Sequence, residues 1–324
     1  AMRLIAHNEE RFPKKIRAGK SGKQKVRFQY FEDCYKENAF LAEDIRQTVQ
    51  NGVPLSEIAV LFRTNMQPRA LMEYMVSANL AFQTKDRIPD IYEHWIARDF
   101  FTYIRIAQGS DSRADFLSIM NRPKRYIGRD SLPDETVCFD EWMKLYEEQP
   151  WIAERIEKLW YDLKHLSRLS PYAAINYIRR GIGYDDYLAE YAEYRNANKE
   201  DFYEVADEIL ASAKGYRTFE EWFAHIEEYR QELKRLAQEK RRNQNAVTFA
   251  TLHSAKGLEF TKVYLIDVNE GVMPYKKAVL KQDVEEERRL FYVGMTRAKE
   301  SLTICSVKKM RGKEVELSRF IKEV

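Results

Sequence analysis

The chain has 324 residues, of which 44% are hydrophobic, and its 54 Lys and Arg against 51 Asp and Glu leave a formal charge of +3. That length suffices for two domains of ordinary size, or for one interrupted by another. The balance of charge neither demands nor excludes nucleic acid, because phosphate binding depends on where cations cluster.

No apolar run approaches the roughly 18 residues that span a bilayer, and no basic segment leads into an apolar one at the N-terminus. Neither secretion nor a membrane partner is therefore expected. Cys34, Cys138 and Cys305 are far apart and lack the CxxC or nearby His spacing of a zinc site, so they read as reduced thiols of a cytoplasmic protein with no metal centre. Ala1 in front of Met2 follows the pattern of a cloning remnant and suggests a start inside a longer protein.

In chain order, residues 26–31 form the first short run of apolar and aromatic residues that reads as a buried strand. A helical pattern follows over 37–49, with Ala39, Leu41, Ile45 and Val49 apolar. A second strand is expected over 58–62 and a second helix over 69–79. Strand, helix, strand is the α/β signature, with a parallel sheet. From about 121 to 245 the character changes to long helical stretches dense in Tyr, Trp, Glu, Lys and Arg, closed by the charged run 231–245. That run reads as a solvated helix face, with a binding site as the alternative. Strands return over 247–252, 263–268 and 302–307. The expected division is thus 1–121 and 245–324 as one α/β domain, with 122–244 as an α-helical insertion.

Two segments near the C-terminus carry most of the chemistry. In the first, the strand at 247–252 empties into Thr251, His253, Lys256, Gly257 and Glu259. Open α/β sheets bind ligands at the carboxyl ends of their strands, and this reading puts all five residues there. The alternative is an ordinary strand-to-helix turn, with Gly257 present for backbone freedom. In the second, Leu290, Val293 and Gly294 share a helical stripe with Arg297. A guanidinium facing a core needs an anionic partner. An ion pair with one of Glu285, Glu286 or Glu287 is one candidate, although those side chains also suit i,i+3 and i,i+4 pairs with Arg288 and Arg289.

The strings TLHSAKGLEF at 251–260 and EEERRLFYVGMTRA at 285–298 resemble, in order and spacing, the fifth and sixth motifs of the UvrD, Rep and PcrA superfamily 1 DNA helicases. Residues 58–75 resemble the strand and helix that open the family's second motor domain, and Asn121-Arg-Pro-Lys-Arg-Tyr-Ile-Gly128 resembles its exit into a helical insertion. The resemblance implies a RecA-like sheet domain of the P-loop NTPase type, interrupted by a helical subdomain. It also implies roles. Arg297 would be the arginine finger that reaches the γ-phosphate, and Glu259, beside Gly257, would bond the ribose. Arg63, Asn65, Thr251 and His253 would lie near the backbone of single-stranded DNA. Tyr275 falls where some relatives set a ring beside a base, which suits stacking; a core or surface tyrosine is the alternative.

Departures from the family pattern bound the expectation. A phosphate-cradling GxxxxGK[ST] loop is missing, since Gly19-Lys20-Ser21 has Lys14 where the first glycine belongs. Asp267 mimics a magnesium-holding aspartate, yet it follows the strand of the fifth motif and no glutamate comes after it. The family's other phosphate-contacting arginine would precede Ala1, as would the first RecA-like motor domain, a necessary partner. ATP and Mg²⁺ are therefore expected as cofactors of a parent helicase of 3′-to-5′ type. This chain alone is expected to bind neither and to be inactive. The rival is a non-motor DNA-binding or protein-docking module that keeps the fold.

Overall fold

The computed structural model describes residues 1–9, 26–238 and 245–324. The Gly19-Lys20-Ser21 segment and the end of the charged run, 239–244, lie outside the described residues. The chain forms two compact units, one of Ala1–Pro89 with Glu228–Val324 and one of Asp90–Glu227. In order come α1 (Met2–Ile5), β1 (Arg27–Asp33), α2 (Cys34–Gln50), β2 (Ile58–Phe62), α3 (Arg69–Ser77) and β3 (Phe82–Thr84). The helical unit follows with α4 (Trp95–Ala107), α5 (Arg113–Ile119), α6 (Phe139–Lys144), α7 (Pro150–Leu166), α8 (Pro171–Arg180), α9 (Tyr184–Tyr194) and α10 (Lys199–Ser212), and α11 (Phe219–Gln238) begins in this unit and ends in the first. The chain closes with β4 (Val247–Thr251), β5 (Phe260–Leu265), α12 (Lys281–Met295), β6 (Ala298–Met310), β7 (Lys313–Glu314) and α13 (Arg319–Lys322). Among the described residues no helix is long and apolar enough to cross a membrane.

The first unit is an α/β domain of RecA-like type. Its sheet runs in the order β1-β6-β5-β2-β4-β3, every pair parallel, with β7 added antiparallel to β6. All five residues of β2 and of β4 are buried, as strands covered on both faces must be, which is why they read as unbroken apolar runs.

Alternation along β5 shows how the two faces are filled. Val263 and Leu265 join a core with Ala59, Leu61, Ala250, Leu252, Phe291 and Met295. Lys262 and Tyr264 point the other way, to α2. There the Lys262 ammonium lies 2.6 Å from both Asp44 and Thr48 Oγ1, and the Tyr264 hydroxyl donates to Asp44 at 2.6 Å. Burial pushes the Asp44 carboxyl up, but the Lys262 and Tyr264 hydrogen bonds outweigh it and hold the group below its ordinary value. On α12 the buried stripe is Phe291, Gly294 and Met295 rather than Leu290 and Val293, which lie at its margin. A Cβ at Gly294 would come 2.3 Å from Leu252 Cδ2 and 3.2 Å from Leu265 Cδ2. Only glycine lets α12 lie this close to β4 and β5, and that approach fixes where Arg297 falls.

The second unit runs from Asp90 to Glu227, beside the 122–244 expected from the sequence. It begins at Asp90 because α4 and α5 bury their apolar faces among helices: Phe100 meets Tyr184 of α9 edge to face at 5.0 Å. Asp99 accepts from the Tyr184 hydroxyl at 2.5 Å and pairs with Arg122 at 2.8 Å. The turn at 121–128 is held by the Asn121 amide, which donates to Ile127 O at 2.8 Å and accepts from the Arg125 and Ile127 amides.

Candidate functional site

Strand register divides the expected site residues between two edges of the first unit's sheet. Thr251 ends β4 opposite Phe62, the last residue of β2, so Thr251 and His253 lie at the carboxyl edge with Arg63 and Asn65. Lys262 is opposite Ile58, and Phe260 is opposite Ala298, so β5 and β6 begin at the amino edge. Four residues of β2 separate these levels, about 13 Å along the strand direction. The five residues Thr251, His253, Lys256, Gly257 and Glu259 therefore do not share one strand end as their spacing suggested. Nor does the fifth motif turn into a helix. Residues 252–257 are successive turns, with Ala255 N bonded to Thr251 O at 2.9 Å and Lys256 N to His253 O at 3.2 Å. Gly257 follows at φ +85°, a conformation that a β-carbon disfavours.

At the amino edge the fifth and sixth motifs meet. Phe260 N donates to Arg297 O at 2.9 Å, and the Arg297 guanidinium donates to Leu258 O at 2.9 Å, Val293 O at 3.0 Å and Thr296 Oγ1 at 3.0 Å. Glu259, the next residue after Leu258, is exposed. Among the described residues no carboxylate lies within ion-pairing distance of Arg297, so the pairing with Glu285, Glu286 or Glu287 does not form. Those glutamates have other partners. Glu286 and Glu285 pair with Arg289 at 2.7 and 3.5 Å, while Arg288 turns to Glu323 at 2.7 Å and to Asn8 at 2.6 Å.

Glu287 reaches across to the carboxyl edge. Its carboxylate receives the Arg63 Nε at 3.0 Å on each oxygen and the Arg63 Nη2 at 2.8 Å, and it accepts the Tyr275 amide at 3.0 Å. The Arg63 guanidinium lies over the Tyr275 ring at 5.2 Å. Gln67 supports the same loop, its Oε1 accepting the amides of Arg63 and Thr64 at 2.8 Å while its amide nitrogen reaches Asp267 at 3.4 Å. Asp267 is buried beside Glu37, whose carboxyl is pushed well above the usual carboxylate range by burial and by the neighbouring charge. That environment leaves Asp267 enclosed rather than offered to a magnesium ion. Asn65 Oδ1 is enclosed and, among the described residues, has no hydrogen-bond partner.

A second brace holds the His253 turn. Asp86 accepts the Thr251 amide at 2.7 Å, the Thr251 hydroxyl at 3.2 Å and the Ser254 hydroxyl at 2.5 Å, and His253 between them is exposed. The loop that carries Tyr275 is pinned by buried Asn269, which donates to Val307 O at 2.7 Å and accepts from Val307 N at 3.1 Å. Sequence reasoning missed Asp86, Gln67 and Asn269, and assigned Glu287 only a local role. Each acts on a residue remote in sequence, and a lone Asp, Gln or Asn carries no spacing signal. The register of Phe62 opposite Thr251 was the one relation that could have hinted at them.

The family profile for the UvrD-like helicase C-terminal domain matches residues 1–147 and 141–309. The chain is similar to the putative ATP-dependent DNA helicase YjcD of Bacillus subtilis (strain 168), with 26% identity covering 98% of this chain and 43% of the relative. It is similar also to the ATP-dependent DNA helicase PcrA of Staphylococcus epidermidis, with 29% identity over all of this chain and 47% of the relative. Against the ATP-dependent DNA helicase Rep of Salmonella typhimurium the identity is 27%, over 99% of this chain and 51% of the relative. The chain thus spans about half the length of the curated relatives it matches. With the profile matching most of its length and both motifs meeting at one edge of the sheet, the chain belongs to the UvrD-like helicase C-terminal domain family.

Proposed function

We propose that this chain serves as the second motor domain of an ATP-driven, 3′-to-5′ DNA helicase, contributing the arginine finger and part of a single-stranded DNA groove. The observation that carries the reading is the state of Arg297. It is fixed by neutral oxygens beside exposed Glu259 and has no carboxylate partner among the described residues. A guanidinium so held keeps its charge for an external anion. Three of its roughly five N–H donors are engaged, and the others remain for phosphate oxygens.

These residues fit one half of a nucleotide site. Arg297 would stabilise charge on the transferred phosphoryl group, and Glu259 would accept from a ribose hydroxyl, with Gly257 shaping the turn beside them. The loop that cradles the β-phosphate and the carboxylate that holds Mg²⁺ would come from the first motor domain. At the other edge, Arg63, Asn65, Thr251, His253 and Tyr275 would contact single-stranded DNA. Because the two groups sit on one rigid sheet, closure of a cleft on ATP at the amino edge would carry the DNA-contacting edge with it. A docking module without motor function has no evident use for both Arg297 and Glu259 in this arrangement.

Measuring ATPase of the full-length protein with and without single-stranded DNA tests the reading. Arg63→Ala and His253→Ala are expected to lower the DNA-stimulated rate by about tenfold or more and the basal rate by much less. Equal loss of both rates would overturn the DNA-contact assignment. The isolated chain is expected to hydrolyse no ATP, and robust DNA-stimulated hydrolysis by it would contradict the division of labour.

A further inference from the structure

Two arginines paired with carboxylates can be compared directly in the first unit. Arg288, on α12, closes all three of its nitrogens: Nε and Nη2 go to Glu323 at 2.7 and 3.0 Å, and Nη1 goes to Asn8 at 2.6 Å. It is a buried brace, 7% exposed, turned into the fold on every nitrogen. Arg63 is held differently. Glu287, one residue earlier on the same helix, engages Nε and Nη2, and the Tyr275 ring covers one face of the guanidinium. Among the described residues the Nη1 edge has no hydrogen-bond partner. The side chains of Glu287 and Arg63 are 9% and 20% exposed, so the clamp is sheltered while the arginine still reaches solvent.

We propose that Glu287 is a positioning residue that clamps Arg63 and Tyr275 into one unit and holds the Nη1 edge of Arg63 toward a phosphate of single-stranded DNA. The inference rests on the reading above, in which Arg63 contacts DNA, and goes beyond it by naming what orients that contact. A free arginine side chain must be ordered when it binds. One already fixed at its Nε edge, on one face and at the backbone of its own loop loses little more. Glu287 achieves this from α12, the helix that ends at Met295, two residues before Arg297.

Charge and position predict opposite signs, which makes the inference testable. Glu287→Gln removes a negative charge beside the DNA, so electrostatics alone predicts tighter binding. Positioning predicts weaker binding, because a carboxamide has one acceptor oxygen for donors that now share two, and its own N–H groups oppose those of Arg63 and Tyr275. Titration of the full-length protein with a fluorescent oligothymidylate at fixed salt is expected to show Glu287→Gln weakening binding about tenfold. Glu287→Asp, which keeps the charge but withdraws it by one methylene, is expected to weaken binding as well. In an Arg63→Ala background neither substitution should add a further loss, since residues that act through one another are not additive.

Tighter or unchanged binding by Glu287→Gln would overturn the proposal, and so would a further loss in the Arg63→Ala background, which marks a general structural role. If Arg63→Ala itself leaves oligothymidylate binding unchanged, the DNA-contact reading fails and this inference falls with it.

Discussion

Replacing Arg297 by Ala in the full-length protein separates the finger from a structural arginine, because the structure assigns different magnitudes to the two losses. The side chain makes three hydrogen bonds, to Leu258 O, Val293 O and Thr296 Oγ1, all neutral acceptors in a partly buried site. At roughly 0.5–1 kcal/mol each in this partly solvated site, their loss costs about 1.5–3 kcal/mol. At about 2–4 °C per kcal/mol, that lowers the melting temperature of a large domain by roughly 3–12 °C. Breaking a buried ion pair would instead cost about 3–5 kcal/mol and strand a carboxylate. Catalysis should respond on another scale. A finger that stabilises the transferred phosphoryl group is worth roughly 10³- to 10⁵-fold in turnover. Arg297→Lys should fail nearly as badly, since the ammonium keeps the charge but loses the planar fork that engages two phosphate oxygens. Steady-state ATPase with saturating DNA and thermal melting, measured on the same purified variants, give both numbers. A variant melting more than about 12 °C lower while turning over within about threefold of the parent protein would refute the finger.

Two further substitutions probe the braces around the site. Glu37→Gln should flatten the pH dependence of stability. The Glu37 carboxyl is raised by burial and by Asp267, so the folded chain holds a proton that the unfolded chain releases. Stability contributed by that proton is present at low pH and is lost as pH rises from the ordinary carboxylate value of 4.5 through the raised folded value. Melting curves between about pH 5 and 9 should therefore fall more steeply for the parent chain than for the variant, and parallel curves would exclude the proton held on Glu37. Asp86→Ala frees the Thr251 amide and two hydroxyls from one carboxylate. Loss of these charge-assisted bonds should cost about 2 kcal/mol and speed exchange of the Thr251 amide about 30-fold, read by hydrogen exchange. Unchanged protection of that amide would mean that the turn holds itself.

The sequence by itself determined the sheet and the family. Strands at 58–62 and 247–251 are buried on both faces, so they read as unbroken apolar runs, and the alternation of strand and helix made a parallel sheet the expected outcome. Contiguous strings at 251–260 and 285–298 marked the two motifs because each is a local feature, one a strand and its exit, the other a helix and its end. What the sequence could not contain is which strand ends face the same way. Thr251 and Glu259 are eight residues apart yet sit at opposite edges, because β5 starts level with the beginning of β2 while β4 ends level with its close. Partner choice was equally out of reach. Local spacing offered Glu287 to a neighbour on its own helix, and packing of Gly294 against Leu252 instead fixed the helix where Glu287 meets Arg63, 224 residues away. Among the described residues Arg297 consequently kept no carboxylate, because it bonds three neutral oxygens and the glutamates nearest in sequence are engaged elsewhere by the fold.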